Sequence, residues 1–272
     1  MKEISLPEQK KIMMDLLLEF TSFCEKHHLT YFLTGGTLLG AIRHKGFIPW
    51  DDDIDVGMPR SDYEKFITLY PKEKKTSYYD FFCLENNEEI YVPSGKLVDN
   101  RTILDEAVDS DLKMGIYIDI FPLDNVGDTL EDAKRVFQKT IDIRKKIDVQ
   151  NWKIVKERAW YKNVIIYIIK LLSPKGKRKE LLKELDKACR EFEQDTMTNY
   201  VGFVCAAHNG VKEILKKEWF EEYKLTPFEE YEFKIPVRYD EILTGFYNAN
   251  YMELPPESKR KTHHMYKTYY KD

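Results

Sequence analysis

The glycine pair Gly35-Gly36 and the acidic run that follows it, Asp53-Ile54-Asp55, constrain the fold of this chain more than any other feature. A short apolar run, Tyr31-Phe32-Leu33, precedes the glycines and is predicted as a strand. Thr37 to Arg43 is predicted as a short helix whose N-terminus points at the glycine turn. The free N–H groups and the dipole of such an N-terminus attract anions, and glycine lets an anion approach the backbone closely. The glycine turn is therefore predicted to bind a phosphate.

Asp53 and Asp55 form the second half of this feature. The alternation of Ile54 and Val56 with these acids predicts a strand from Asp53 to Met58 with one buried face. Both carboxylates then leave the same face, about 7 Å apart at their Cα atoms. Carboxylates this close repel each other, and a divalent cation relieves that repulsion. Their oxygen atoms suit Mg²⁺ or Mn²⁺ better than zinc, so we predict a magnesium or manganese site.

A third carboxylate lies in the most strand-like run of the chain, Gly115 to Phe121, which we expect to end sharply at Pro122. Asp119 stands between two isoleucines there, where an isolated charge is costly unless it has a partner. It is the best candidate to join the first two acids around a metal. Capping of a turn at the strand end is the alternative.

Composition and local motifs exclude several classes of protein. The net charge of −4 argues against a general nucleic-acid binder, which carries a strong basic excess. The four cysteines form no CxxC pair and fit no zinc site, and the charged N-terminus lacks the apolar stretch of a signal peptide. Reduced, buried cysteines and a cytoplasmic location are therefore expected. The chain contains neither a Walker A sequence nor a nucleophile-elbow motif, so P-loop and acyl-transfer chemistry have no support.

Periodicity divides the chain into a mixed front part and a mostly helical back part. Strand and helix patterns alternate up to about residue 128, and a helical pattern runs from Leu130 to about Glu193. Short strands and turns return between Tyr200 and Ile235. We predict an α+β fold in which helices flank a mixed sheet, with a mostly helical second half. The expected units are a core at 1–128, a helical subdomain at 129–235 and a C-terminal segment at 236–272 that folds back towards the active site.

The most apolar run, Val164 to Leu172, is too short to span a bilayer and is interrupted by Lys170. A core helix is the simpler interpretation. The alternative is a helix at a membrane surface, because aromatic and basic residues flank it within 160–179. That alternative would add a peripheral contact with the inner face of the membrane.

The run from Thr34 to Met58 resembles the LicD family almost letter for letter. Further matches lie at Ser94–Thr102, Tyr117–Asp124 and in the tail from Tyr251 to His264. This family contains phosphorylcholine transferases of bacterial cell-surface glycans. It is part of the polymerase-beta-type nucleotidyltransferase superfamily, and the fukutin-like proteins are its distant relatives. The resemblance is strong over residues 31–124, weak over 130–231 and moderate near the C-terminus.

The resemblance implies a nucleotidyltransferase-type core that transfers phosphocholine from CDP-choline to a sugar hydroxyl and releases CMP. The acceptor would be teichoic acid, capsule or a lipopolysaccharide precursor, free or lipid-linked, and no nucleic acid is involved. Asp53 and Asp55 would hold Mg²⁺ against the diphosphate. Asp119 would complete the metal site or accept the proton of the attacking hydroxyl.

The remaining candidates would bind the donor through backbone N–H groups, cationic side chains, imidazoles and one aromatic face. Cations can neutralise charge in the transition state, and aromatic faces hold quaternary ammonium groups. For each charged or aromatic candidate, an ordinary surface or core role is the alternative. The candidates are Gly35, Gly36, Thr37, Arg43, His44, Lys96, Arg101 and His263 for the phosphates, and Trp50 for the choline.

Two other functions stay open at this point. The first is a relative that moves another phospho-alcohol or a nucleotide from an activated CDP or NTP donor. The second is a catalytically inactive glycan-binding relative. The three acids argue against the second, because an inactive protein has no need to bear their mutual repulsion.

Overall fold

The computed structural model describes residues 1–105, 108–154, 158–172, 176–194, 198–207, 210–260, 262 and 267–271. The helices are α1 (Leu6–Lys26), α2 (Gly35–Arg43), α3 (Arg60–Glu73), α4 (Leu130–Asn151), α5 (Trp160–Leu172), α6 (Gly176–Cys189) and α7 (Tyr239–Tyr247). The strands are β1 (Phe32–Leu33), β2 (Asp55–Pro59), β3 (Tyr79–Phe82), β4 (Gly95–Asp99), β5 (Thr102–Asp105), β6 (Ile116–Gly127), β7 (Tyr200–Gly202), β8 (Leu215–Lys216), β9 (Tyr223–Phe228), β10 (Tyr231–Pro236) and β11 (Lys267–Tyr270). The fold is α+β, as predicted.

The central sheet is built on β2 and β6, which run parallel with Asp55 opposite Asp119 and Pro59 opposite Leu123. β1 lies antiparallel on the other edge of β2, while β4 and then β3 continue the sheet beyond β6. The C-terminal half of β6 also pairs with β7. Because β2 and β6 are central strands, their apolar side chains, such as Val56 and Ile118, are fully buried.

Helix α1 covers this sheet, and its start follows the predicted capping box. The Ser5 N–H donates to Glu8 Oε2 at 2.9 Å, and the Glu8 N–H returns a bond of 3.5 Å to Ser5 Oγ. The helix buries a stripe that includes Leu16, Leu17 and Phe20 against the sheet. The sequence therefore predicted this element from its start to its end near His27.

The two ends of the chain meet beside α1. β11 pairs antiparallel with β5, and the Tyr270 N–H donates to the Lys2 carbonyl at 2.9 Å. The Gln9 amide of α1 donates to the Asp52 carbonyl at 3.0 Å, so α1 also holds the acidic run. Among the described residues, no helix combines the length and the apolar character that crossing a bilayer requires.

Two strand boundaries differ from the prediction. The strand expected over residues 53–58 begins only at Asp55, because the Asp55 N–H donates to Thr37 Oγ1 at 2.8 Å instead of to a neighbouring strand. Asp53 therefore precedes the strand and does not share a strand face with Asp55. β6 does not end at Pro122 but continues to Gly127. Pro122 lies opposite Met58 of β2, and on the other edge of β6 it falls between the last pair with β4 and the first pair with β7. On that edge its missing N–H interrupts neither ladder.

The glycine pair also differs from the expected turn before a helix. Gly35 and Gly36 are the first residues of α2, and Thr34 precedes them in an extended conformation. Gly35 has φ +54°, a left-handed conformation that favours glycine. The helix thus begins two residues earlier than its apolar pattern predicted.

Candidate functional site

A cluster of carboxylates lies where α2 begins and where β2 and β6 run side by side. Asp55 is the first residue of β2 and stands opposite Asp119 of β6. The run before β2 adds Asp51, Asp52 and Asp53, each of which offers a carboxylate oxygen within 4.8 Å of the others. Sequence reasoning selected Asp53, Asp55 and Asp119, whereas the three described acids whose oxygens lie this close are Asp51, Asp52 and Asp53. Asp55 adjoins them, because the charges of Asp53, Asp119 and Asp51 all act on its carboxyl group.

The two glycines are explained by this cluster. A Cβ atom on Gly35 would collide with Asp55 Oδ2, and one on Gly36 would lie 2.8 Å from Asp51 Oδ2. The carboxylates therefore press against the first turn of α2. The first N–H groups of a helix have no acceptor within it, and its positive end stabilises nearby anions. An anion held by a cation in this cluster would thus also meet the N–H groups of α2.

Thr37 fixes α2 to the strand that carries Asp55. Its hydroxyl accepts the Asp55 N–H, and the Thr34 N–H donates to the Asp55 carbonyl at 3.1 Å. Thr37 is buried, so its side chain has this positioning role. Sequence reasoning assigned Thr37 only a backbone contact with phosphate and missed the hydroxyl.

Asp119 is held by two side chains of the neighbouring segment. Its Oδ1 accepts a bond of 2.8 Å from Lys96 Nζ and one of 2.9 Å from Ser94 Oγ. Lys96 is the register partner of Asp119, and only 5% of its side chain is exposed. Its ammonium lies 3.5 Å from the ring centroid of Tyr117. The structure thus places Lys96 in the site as the partner of an acid, and it adds Ser94 and Tyr117.

Burial and neighbouring charges raise the pKa values of two of the acids. Burial, followed by the charge of Asp53, its hydrogen bond and the charge of Asp52, raises the pKa of Asp51 to about 8, while Lys10 opposes the rise. Burial also raises the pKa of Asp55 well above its usual value, and the charges of Asp53, Asp119 and Asp51 add to this effect. Such a cluster either keeps protons or binds a cation.

The donor atoms fit a hard divalent metal ion. All members of the cluster offer carboxylate oxygens, which suit Mg²⁺ and Mn²⁺. The raised pKa values of Asp51 and Asp55 arise from burial beside like charges, and a divalent cation at this point would remove that cost. The residues present therefore fit a hard divalent cation, with Asp51 and Asp52 closest to Asp53 where the sequence had predicted Asp55 and Asp119 as its partners.

Arg43 and Arg101 have other partners in this structure. Arg43 lies at the end of α2, and its Nη1 donates to the carbonyls of Tyr251 at 2.8 Å and Glu253 at 3.1 Å. It therefore fastens the C-terminal segment to α2. The Arg101 guanidinium binds the buried Asp99 at 3.0 Å and lies over the Tyr78 ring, beyond the end of β4. In the described part of the chain, no contact of Arg101 reaches the acidic cluster at the start of α2.

His44 and Trp50 lie together on the segment between α2 and the acids. Their rings meet edge to face at 6.2 Å, and His44 Nδ1 accepts a bond of 3.4 Å from Arg43 Nε. Burial and the neighbouring Arg43 lower the pKa of His44. The Arg260 guanidinium lies 5.7 Å from the Trp50 ring centroid, so this ring already faces one cation. His263, the other predicted imidazole, lies outside the described residues.

Tyr247 of α7 is a neighbour of the acids that sequence reasoning missed. Helix α7 packs against α2, and Tyr247 is half-buried against the core. Burial raises the pKa of its hydroxyl, and the charges of Asp55, Asp51 and Asp53 raise it further. The residue is about two hundred positions from the acids in sequence, so no local pattern could have identified it.

Comparisons with known proteins identify relatives of this chain. The family described as LicD/FKTN/FKRP, nucleotidyltransferase domain, matches residues 28–153, which include the whole acidic cluster and Lys96. A Haemophilus influenzae protein named lipopolysaccharide cholinephosphotransferase LicD is 31% identical over 276 aligned residues, with 99% of each chain covered.

Two uncharacterized Rickettsia proteins match shorter stretches. The Rickettsia typhi protein is 36% identical over 78 residues, which are 28% of this chain and 25% of its own. The Rickettsia prowazekii protein is 40% identical over 53 residues, or 20% of each chain. These two relatives show similarity to a part of the chain only.

Proposed function

This chain belongs to the LicD family, and we propose that it transfers phosphocholine from CDP-choline to a sugar hydroxyl of a cell-surface glycan, with release of CMP. As a member of this family, the protein is an enzyme of the transferase class. The Haemophilus relative named for lipopolysaccharide is similar along the whole chain, which favours a lipopolysaccharide precursor or a related glycan as acceptor. We place the reaction in the cytoplasm, on an acceptor at the inner face of the membrane.

The observation that carries the proposal is the acidic cluster at the start of α2. Asp53 and Asp55, with Asp51 or Asp119, would hold Mg²⁺ or Mn²⁺. When bound, the ion would neutralise the diphosphate of the donor and polarise the phosphorus that is attacked. The chain itself supplies the two glycines that let this ligand set lie against the helix.

The N-terminus of α2 and Lys96 would bind the transferred phosphate. The N–H groups of Gly35, Gly36 and Thr37 begin the helix beside the acids and would donate to phosphate oxygens. Lys96 Nζ is buried and bound to Asp119, so its positive charge is fixed at the centre of the site. A fixed charge in a dry site stabilises the transition state without further reorganisation.

Asp119 has one oxygen to offer the reaction. Both of its described hydrogen bonds, from Ser94 and Lys96, go to Oδ1. We assign Oδ2 to the metal or to the hydroxyl of the acceptor sugar, where it would accept the proton as the oxygen attacks phosphorus. The Trp50 ring, which faces a guanidinium in this structure, would receive the choline ammonium.

A donor panel tests the proposal. CMP release is measured with CDP-choline, CDP-ethanolamine, CDP-glycerol and CDP-ribitol, each with Mg²⁺ and with EDTA, in the presence of a glycan acceptor. We expect turnover with CDP-choline and Mg²⁺ and none with EDTA. Turnover with another donor alone would assign the protein to a different phospho-alcohol. Binding of glycan with no turnover on any donor would favour the inactive glycan-binding alternative.

A further inference from the structure

Helix α5 exposes apolar side chains where a surface helix of a globular protein exposes polar ones. Eight of its thirteen residues are large, apolar or aromatic, and between 46% and 78% exposed. They are Trp160, Tyr161, Val164, Ile165, Tyr167, Ile168, Leu171 and Leu172. At 3.6 residues per turn they cover a continuous arc of about 160° that contains no charged residue. We call these eight side chains the apolar arc.

The opposite side of α5 holds it to the protein. Ile166 is the only described residue of the helix that is buried. Lys170, on the same side, pairs with Asp109, and the Asn163 amide donates to the Arg158 carbonyl at 3.5 Å. The packing of α5 therefore fixes its orientation and leaves the apolar arc on the surface. The core helix that the sequence favoured is not what the structure contains.

The helix pair α5 and α6 is rich in basic residues, and nearby acids neutralise part of this charge. Lys170 pairs with Asp109 and Lys179 with Glu88, on the side where Tyr167 and Leu171 line a pocket with these acids. Residues 158–183 include eight lysines and arginines and one acidic residue, in a chain whose net charge is −4. Lys162 on α5, and Lys177 and Lys183 on α6, have exposed side chains. An apolar arc flanked by cations is the pattern of a helix that lies in the interface of an anionic membrane. Trp160 and Tyr161 at its start are the residue types that favour this interface.

Charge also decides between a membrane and a second copy of the chain. A symmetric contact through the apolar arc would bring the exposed lysines of two copies, Lys162, Lys177 and Lys183, towards each other, and their repulsion would oppose association. A bilayer that carries anionic lipids complements the same region. The helix has thirteen residues, or about 20 Å at 1.5 Å per residue, which is too short to cross the hydrocarbon core but sufficient to lie along its surface.

We propose that α5 binds the surface of an anionic lipid bilayer, with the apolar arc inserted below the headgroups and the lysines of α5 and α6 at their phosphates. This site is separate from the acidic cluster and does not depend on the proposed reaction. It would bring the enzyme to any acceptor anchored in that bilayer. Vesicle binding is measured without donor or acceptor, so its failure would leave phosphocholine transfer untouched.

The test is flotation of the full chain with vesicles of phosphatidylcholine that contain about one third phosphatidylglycerol, against vesicles of phosphatidylcholine alone. We expect binding to the anionic vesicles that weakens as salt is raised, because part of the attraction is electrostatic. Trp160 fluorescence should shift to the blue, and brominated lipids should quench it. Trp160→Phe should remove most of that signal. Equal recovery with and without anionic vesicles would overturn the proposal.

Matched variants locate the contact. Ile165→Glu/Ile168→Glu puts charge in the apolar arc and should reduce the vesicle-bound fraction by about tenfold or more. Leu225→Glu/Val237→Glu puts the same charge on exposed apolar residues elsewhere and should bind as the unaltered chain does. Thermal melting confirms that both are folded. If Ile165→Glu/Ile168→Glu still binds vesicles, the lipid assignment is wrong. It is also wrong if the unaltered chain is a dimer that binds no vesicles and this variant dissociates that dimer.

Discussion

The parallel strands β2 and β6 carry charged residues at both ends of their pairing, and the two ends are built in opposite ways. At one end Asp55 faces Asp119, with Asp51 and Asp53 nearby, and Lys96 is their buried cation. About 16 Å further along, at 3.3 Å per residue, the chain leaves β2 and reaches Arg60, which faces Asp124 of β6. We call these the acidic end and the paired end.

The paired end is neutralised within the protein. Arg60 Nε donates to Asp124 Oδ1 at 2.6 Å and Nη2 donates to Oδ2 at 3.0 Å, a bidentate arrangement with both residues buried. The acidic end keeps five carboxylates, Asp51, Asp52, Asp53, Asp55 and Asp119, against the ammonium groups of Lys96 and Lys10. Burial is common to both ends, so burial alone does not identify a functional site. The unbalanced charge of the acidic end does identify a functional site, because a fold gains no stability from it.

The largest effect on activity is expected when one carboxylate of the acidic end is removed. Asp55→Asn removes a proposed metal ligand and should lower the rate of CMP release by at least about 100-fold. It also removes a like charge from a crowded cluster, so the melting temperature should stay the same or rise. Asp142→Asn, on the exposed face of α4, is the control and should leave both quantities unchanged. An active Asp55→Asn enzyme would refute the assignment of the metal.

The second largest effect is expected from breaking the paired end, where stability should fall and activity should be kept. Arg60→Met leaves Asp124 buried without its partner and should lower the free energy of unfolding by about 3–5 kcal/mol, measured by urea denaturation. The remaining folded protein should keep its activity per molecule. Arg60→Met/Asp124→Leu removes both charges and should recover much of the loss. A stable Arg60→Met single variant would contradict the structural role of this pair.

The pH dependence of Arg60→Met follows from the same pair. Burial raises the pKa of Asp124 to about 6 even though Arg60 opposes the rise. Without Arg60 the folded state should hold this proton to still higher pH, whereas the unfolded chain releases it near pH 4. The folded state then binds more protons, so the stability of the variant should fall as pH rises through this range. A stability loss that is equal at pH 5 and pH 8 would contradict this.

Metal addition separates the two ends in one experiment. If Mg²⁺ binds the acidic end, a concentration about one hundred times the dissociation constant should stabilise the fold by about 2.7 kcal/mol. The shift in melting temperature should disappear in Asp55→Asn and persist in Arg60→Met. EDTA should reverse it. The same shift in both variants would place the ion elsewhere in the protein.

The two ends also show what a sequence can predict. The capping box at Ser5 and the acid inside β6 are local patterns, and each was found where it was predicted. The strand predicted from Asp53 was also found, but it begins two residues later, at Asp55. The neighbours of those acids are not local. Lys96 meets Asp119 only through the register of β4 on β6. Arg60 and Asp124 are 64 residues apart, and no sequence pattern in either segment predicts their pairing.

The smallest expected effect tests whether Tyr247 belongs to the acidic end. Tyr247 lies beside Asp51, Asp53 and Asp55, and burial and their charges raise the pKa of its hydroxyl, which therefore stays protonated and able to donate a hydrogen bond. Tyr247→Phe removes that donor and keeps the ring packed against the core. We expect a loss of about fivefold in kcat/KM, as for one hydrogen bond of about 1 kcal/mol, with little change in melting temperature. Tyr239→Phe, on the same helix, serves as the matched control. If Tyr247→Phe lowers the stability and leaves kcat/KM unchanged, the residue belongs to the packing of α7 and the acidic end stops at the carboxylates.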